Sequence, residues 1–317
     1  MTMRIALIGE ALIDFTATPG GALQFQGHVG GALLNSAVAA ARLGMPVGYI
    51  TQLSTDLFGE RLLAHLQHNG IDTAHVLRSE APSTLAFVQR SAHTNRYAFY
   101  MQGTADVLWA PAELPPLPAS CRWLHYGSNL LTREPSGARV LDFVRAQRGQ
   151  RLRMFDPNAR PGLIADLAAW RARCLECVAE CELLKLSDED AALLAPGQAL
   201  DAAAQAWLAA GPTAVLLTRG AQGATLYRPG AAPLQVAPPP VQVVDTIGAG
   251  DTFAAALSVA LLDQGVQDVA TLTALADNAW GAVLRFAATA AALNCAREGT
   301  DPPRRAEVEA RLAEWSR

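Results

Sequence analysis

Asp245-Thr246-Ile247-Gly248-Ala249-Gly250-Asp251 runs without a break into the small-residue stretch at 252–262. A Gly-Ala-Gly turn that opens a helix leaves backbone N–H groups with no helical carbonyl to receive them. They point outward together, the helix dipole adds partial positive charge, and the turn suits an anion. An aspartate is misplaced in a site that only binds anions, because it repels them. It has a purpose if Asp251 is a base that takes a proton from a hydroxyl while the amides of Gly248, Ala249 and Gly250 hold a phosphoryl group in transfer. Acids are also common near helix N-termini for structural reasons. The complete heptad ahead of a small-residue helix is what favours the chemical reading.

Outward from the heptad, short apolar runs alternate with amphipathic stretches. Residues 4–9, 47–51, 123–127, 153–155, 183–186 and 214–218 read as buried strands, and 33–43, 57–69, 136–148, 163–178 and 202–209 read as helices. This alternation predicts an α/β fold, doubly wound, with a mostly parallel sheet and helices on both faces. Ligands in such folds sit beyond the carboxyl ends of the strands. Residues 15–29 and 85–102 break the pattern: they alternate, are rich in turns and read as β ribbons. Together they predict a small β-sheet lid that closes over a substrate and excludes water. Proline clusters at 115–116 and 238–240 mark loops, so residues 1–317 are expected to form a single α/β domain carrying this lid.

Of the 317 residues, 51% are hydrophobic and 17% charged, which describes a well-buried globular chain and not a disordered one. A net charge of −4 with scattered basic residues, Arg171 and Arg173 the densest cluster, gives no footprint for nucleic acid. The apolar run near the start is interrupted by Glu10 and Asp14 and reads as a first strand. The most apolar later stretch, 269–293, carries Asp277 and Arg285 and reads as a buried helix, not a membrane span. Five cysteines without disulfide spacing fit a cytoplasmic protein. Cys174, Cys177 and Cys181 share one helix face and are expected to be structural thiols.

Several weaker signals gather at strand ends. Gly30-Gly31 opens a helix that stops at Gly44 before Pro46, and Asn35 lies one turn beyond Gly31. Backbone approaches a ligand closely at paired glycines, and an amide side chain there both donates to and accepts from sugar hydroxyls. Asp14, at the junction with the lid, is placed to accept from two hydroxyls of a polyol, or is a plain turn aspartate. Asp156-Pro157-Asn158-Ala159-Arg160 is an ordinary turn signature whose arginine reaches towards a phosphate or a substrate oxygen. Lys185-Leu186-Ser187 ends another strand, and Thr218-Arg219-Gly220-Ala221-Gln222-Gly223 makes a glycine-bearing turn before the next one.

Gly30-Gly31-x-x-x-Asn35 near the start and Asp245-Thr-x-Gly-Ala-Gly-Asp251 near the end resemble the two signatures of the ribokinase-like (PfkB) carbohydrate kinases. The likeness spans nearly the whole chain. Within the family, Gly9-Glu10-x-Leu12-x-Asp14, the Asp156–Arg160 turn and Ser187 look most like fructokinases and 2-keto-3-deoxygluconate kinases. The resemblance implies that Asp251 deprotonates the primary hydroxyl of a sugar and that Gly248, Ala249 and Gly250 form the anion hole. It implies that Asp14, Gly31 and Asn35 hold the sugar from the body, with Phe99 and Tyr100 covering it from the lid. Arg160 would reach the sugar or the phosphates. Asn158, Ser187, Thr218, Gly220 and Gly223 would belong to the nucleotide site, with Asn278 near the base. Family members often carry Asn-x-x-Glu where this chain has Ser187-Asp188-Glu189-Asp190, which leaves the positioning of Mg²⁺ and the identity of any metal ligand open.

The expected activity is ATP-dependent phosphorylation of a primary hydroxyl, D-fructose to fructose 6-phosphate being the leading candidate. 2-Keto-3-deoxygluconate kinase and ribokinase-type activities are the alternatives, and Arg96 or Arg160 facing the sugar would favour an acid. The cofactors implied are ATP and Mg²⁺, with a monovalent cation such as K⁺ left open. The expected partners are small molecules, with no nucleic acid and no membrane, and open lid edges invite a homodimer. A non-catalytic sugar- or nucleotide-binding protein has no use for Asp251. A Rossmann dehydrogenase lacks its motif, because the first strand leads into Gly9-Glu10-Ala11-Leu12 and not Gly-x-Gly-x-x-Gly.

Overall fold

Residues 2–18, 23–89 and 96–315 are described by a computed structural model, with Gln89, Arg96 and Tyr97 described by backbone alone. Positions 19–22 and 90–95 of the expected ribbons lie outside these residues. The strands in chain order are β1 (Ile5–Ile8), β2 (Leu12–Ala17), β3 (Phe25–Gly30), β4 (Val47–Ser54), β5 (Val76–Ser79), β6 (Thr84–Gln89) and β7 (Arg96–Tyr100). They continue with β8 (Trp123–Gly127), β9 (Leu152–Asp156), β10 (Leu183–Ser187), β11 (Ala214–Thr218), β12 (Ala224–Tyr227) and β13 (Leu234–Val236). The helices are α1 (Ala32–Arg42), α2 (Leu57–His68), α3 (Ser136–Ala146), α4 (Leu167–Ala179) and α5 (Asp188–Leu194). After them come α6 (Leu200–Ala210), α7 (Ala249–Asp263), α8 (Val269–Thr273), α9 (Asp277–Cys295) and α10 (Arg305–Trp315).

Nine strands form one sheet in the order β13-β12-β11-β10-β9-β8-β1-β4-β5, parallel from β11 to β5 and antiparallel only at the β11-β12-β13 edge. Alternation sends Ile5 and Leu7 into a core shared with α1, α7 and α9, while Ala6 and Ile8 face a second core with α3, α4 and α6. This is the doubly wound α/β architecture read from the alternation. The chain builds outward from β1 to β4 and β5, then resumes at β8 on the other side of β1. That reversal is where a doubly wound sheet opens its ligand crevice. Ser128, after β8, donates to Glu10 Oε1, after β1, at 2.7 Å across it.

A separate four-stranded sheet, β3-β2-β6-β7, rises from this end on the segments expected for the lid. Thr84 and Thr104 both donate to the buried Asp106 carboxylate and tie its root to the body. α7 is buried from Asp251 to Leu262 and packs between α1 and α9, which its alanines at 254–256 permit by letting backbones approach.

The apolar stretch at 269–293 is not one helix. It divides into α8, capped by Asp268, and α9, which restarts at Asp277. α5, α10, β5 and β13 carry no sequence signal: α5 has seven residues and β13 three, too short for a periodic pattern to register, and β5 is an edge strand with no buried residue. α10 reads as amphipathic only weakly and buries Val308 alone. All five cysteines are free; Cys174 and Cys177 lie on α4, whereas Cys181 falls just past its end, and none of the three is exposed. No helix of the described residues is long and apolar enough to cross a membrane.

Candidate active site

Two helices begin at the crevice, and both begin on glycine. Gly31 caps α1 at φ 116°, where a Cβ would stand 2.6 Å from the Glu10 carbonyl oxygen. Only glycine tolerates both the backbone angle and the approach. Gly248 caps α7 in the left-handed region, at φ 74°, without any side-chain cap. Among the described residues the N–H groups of Gly248, Gly250 and Asp251 have no partner, while that of Ala249 reaches the Thr246 carbonyl at 3.3 Å. The turn therefore presents uncommitted donors at a helix N-terminus. It is braced from behind by Asn294, which donates to the Ile247 carbonyl at 2.8 Å, and by the Asp245 carboxylate, which accepts from Ile247 and Gly299.

Asp251 is buried within the first turn of α7, and its carboxylate is gripped from two sides. Asn35 Nδ2 donates to Oδ2 at 2.9 Å, and Asn158 Nδ2 donates to Oδ1 at 3.0 Å. Ser36 fixes the backbone by donating to the Asp251 carbonyl at 3.0 Å. Each carboxylate oxygen keeps a further acceptor site for a substrate hydroxyl. Burial raises the Asp251 pKa, against the opposing pull of Asn35, Arg160, Lys185 and Asn158. The result is a stronger base than a free aspartate.

Asp14, expected to reach the sugar from the body, stands instead on β2 of the lid sheet, not in a turn, directly across from His28 of β3. Its carboxylate leans over Gly30, where a Cβ would fall 2.1 Å from Oδ2. Burial pushes Asp14 up to about 6, with Asp251 adding to the effect and Arg160 and His28 opposing it. Arg160 follows β9, donates to the Asn158 side-chain oxygen, and acts on both Asp14 and Asp251. Asp14, Gly31, Asn35, Arg160 and Asp251, named from distant parts of the chain, thus meet at one place.

The lid divides Phe99 from Tyr100. Asp14, Ala86 and Phe99 are cross-strand partners and share a face, whereas Tyr100 pairs with Leu85 on the other. Tyr100 is 63% exposed, packs edge-on against Phe87 and faces away from Asp14. Adjacent strand residues point to opposite faces, so Tyr100 does not share the face of Asp14, contrary to the expectation that both aromatics cover the sugar.

Ser187 and Thr218 are register partners at the ends of β10 and β11, beside the turn that carries Gly220 and Gly223. Gly220 opens to free space, while a Cβ on Gly223 would strike the Val236 carbonyl, so that glycine serves the hairpin. Ser187 is the N-cap of α5, and Asp190 accepts from the Ser187 N–H and hydroxyl and from Ala159 N. The short aspartate thus fastens α5 to the Asp156–Arg160 turn. Asn158, assigned to the nucleotide, sits instead against Asp251.

Asn278 does not belong to the site. It is exposed at the start of α9 and accepts from Ala279 N, while its neighbour Asp277 pairs with Arg228 after β12. β12 runs against the parallel strands, so its end lies at the opposite edge of the sheet from the crevice. The far end of α9 carries the Asn294 bond to the turn, about 24 Å along the helix at 1.5 Å per residue. Among the described residues no group of three His, Cys, Asp or Glu side chains is placed to hold a metal ion.

One residue without an assigned role stands out. Lys185 is buried beneath the turn and pairs with Asp156 at 2.7 Å. A lysine inside a buried strand of the pattern Leu-Leu-Lys-Leu was the available signal.

A helix N-terminus with open amides, a gripped carboxylate within its first turn and a lid on the same crevice define a group-transfer site on a doubly wound α/β scaffold. Residues 2–306 match the pfkB family carbohydrate kinase profile. The chain belongs to that family. It is 37% identical over 259 residues to the fructokinase of Rhizobium leguminosarum bv. trifolii, covering 81% of this chain and 79% of that protein. It is 33% identical to fructokinase-1 of Oryza sativa subsp. japonica, covering 96% of this chain and 95% of that one. The crystal structure of the fructokinase with bound ATP from Xylella fastidiosa superposes with a TM-score of 0.91 at 28% identity, over 99% of both chains.

Proposed function

We propose that this carbohydrate kinase phosphorylates D-fructose from ATP at the primary 6-hydroxyl, and that the Asp251 carboxylate held by Asn35 and Asn158 at the open α7 turn is the observation that carries the reading. The sugar lies between Asn35 of the body and the lid face that carries Asp14 and Phe99. Asp251 takes the hydroxyl proton as the sugar oxygen forms its bond to the γ-phosphorus. The bond from that phosphorus to the β–γ bridging oxygen breaks, and ADP leaves with the electron pair. The N–H groups of Gly248 and Gly250 receive the phosphoryl oxygens in transit, and Asp251 then returns its proton to solvent. Most of the acceleration comes from positioning and electrostatics, as phosphoryl transfer requires.

Ser187, Thr218 and Gly220 belong to the nucleotide side in this reading, with Gly223 shaping the hairpin beside them. Mg²⁺ would neutralise phosphate charge and be carried by phosphate oxygens and water, because Asp190 is already occupied by three donors. No step here uses K⁺. Free cysteines fit a cytoplasmic enzyme.

The Arg160 guanidinium, close enough to act on Asp14 and Asp251, favours a second reading in which the acceptor is a sugar acid such as 2-keto-3-deoxygluconate. A coupled assay of ADP release over fructose, 2-keto-3-deoxygluconate and ribose separates them. Fructose is expected to have the highest kcat/KM. A preference for the acid replaces the first reading with the second, and no turnover with any sugar defeats both.

The lid face turned away from Asp14 carries Phe15, Phe25, Phe87 and Tyr100 in one aromatic cluster, with Leu85 beside them. We assign it to a homodimer in which a second copy covers this face.

A further inference from the structure

Lys185 and Asp156 form an ion pair with both side chains nearly sealed from solvent, at 4% and 3% exposure. Such a pair gives up hydration that its own attraction barely repays, and an apolar pair would stabilise the fold as well. Its position gives it another use. A Cβ built on Gly250 would lie 3.4 Å from Lys185 Nζ, with no other atom from beyond its own helical turn within 4 Å. Gly250 is itself exposed, so the ammonium stands directly behind an open position of the turn.

We propose that Lys185 is a positioning residue of the phosphoryl-transfer site: Asp156 clamps its ammonium behind Gly250, where it adds a fixed positive charge to the open amides of the α7 turn and to the field at Asp251. A helix N-terminus contributes about half an elementary charge. A full charge behind it, in a site of low dielectric and already oriented, strengthens the hold on phosphoryl oxygens without reorganisation during the reaction. Lys185 stays protonated throughout and exchanges no proton. Burial alone would push the amine down, but Asp156, with Asp190 and Asp251 behind it, more than offsets this and holds it charged. Of the pair, the ammonium acts on Asp251 more strongly than Asp156 does. The buried His125 on β8, held neutral with a pKa of about 3 by burial and by Lys185, adds no competing charge.

The inference rests on the kinase reading, and its test has an arm that does not. Lys185→Met keeps the length and removes the charge, and the pair Lys185→Met with Asp156→Asn removes both charges should the single variant fail to fold. In the folded variant kcat is expected to fall about 10- to 100-fold, less than for a donor in direct contact, with KM for fructose within about threefold. The Asp251 carboxyl, followed by ¹³C NMR in the protein alone and assigned by its loss in Asp251→Asn, is expected to titrate at higher pH than in the parent. The other charged groups facing it are Asp14 on β2, Asp156 on β9 and Arg160 after β9, and Tyr49 on β4 is the further titratable group; in Lys185→Met they are unchanged in identity. A folded variant with parental kcat and an unmoved Asp251 titration overturns the proposal, whatever its melting temperature. A wild-type protein inactive on every sugar defeats the kinase reading instead, and the carboxyl titration still decides whether Lys185 sets the field at Asp251.

Discussion

At the scale of the residue, the site consists of carboxylates whose surroundings push them away from ordinary behaviour. Asp14 is pushed up to about 6 by burial, so it ionises within a range where the enzyme can be assayed. Holding sugar hydroxyls requires the carboxylate form. Falling pH protonates Asp14 and weakens sugar binding, so kcat/KM for fructose is expected to drop as pH passes below about 6, the value set by burial. Asp14→Asn should raise KM for fructose and flatten that part of the profile; a profile that keeps its shape in the folded variant removes Asp14 from the sugar site. Asp251→Asn tests the base. It keeps the size and both asparagine neighbours while abolishing basicity, and turnover should fall roughly 10²- to 10⁴-fold in a folded protein. Near-parental turnover would exclude Asp251 as the base.

At the scale of the element, strand periodicity decides what the lid offers. Phe99 shares a face with Asp14, and Tyr100, one residue on, does not. Phe99→Ala is expected to raise KM for the sugar several-fold, and Tyr100→Ala to leave it within about twofold. The opposite result would mean that the lid strand pairs in another register when substrate is bound. Legibility at this scale followed length and regularity. The long buried strands and α7 were visible because their apolar patterns repeat. α5 was not, because its identity lies in a cap in which Ser187 and Asp190 exchange hydrogen bonds. The break between α8 and α9 leaves no mark in the sequence pattern, because both halves are apolar and the interruption is only three residues, 274–276.

At the scale of the whole molecule, the two faces of the lid sheet differ. One carries Asp14 and Phe99, and the other a largely aromatic surface that includes Tyr100 at 63% exposure. Large exposed apolar patches mark interaction sites. Sedimentation should show a dimer at micromolar concentration, and Tyr100→Asp, which places a charge in that surface, should shift it to monomer with the fold intact. A parent that sediments as a monomer at all concentrations rejects the assignment.

By itself the sequence determined the alternation that makes a doubly wound sheet, the two glycine-led helix starts and the acid within the second. These are local: backbone angle, period and helix dipole act over a few residues. Tertiary structure alone decided which distant groups converge. It set Asn158 against Asp251, buried Lys185 behind Gly250, turned Tyr100 away and put Asn278 at the wrong end of α9. The physical reason is that hydrogen bonding and Coulomb attraction at a site act over a few ångströms in space, and chain spacing carries no record of which strand ends the sheet order brings together.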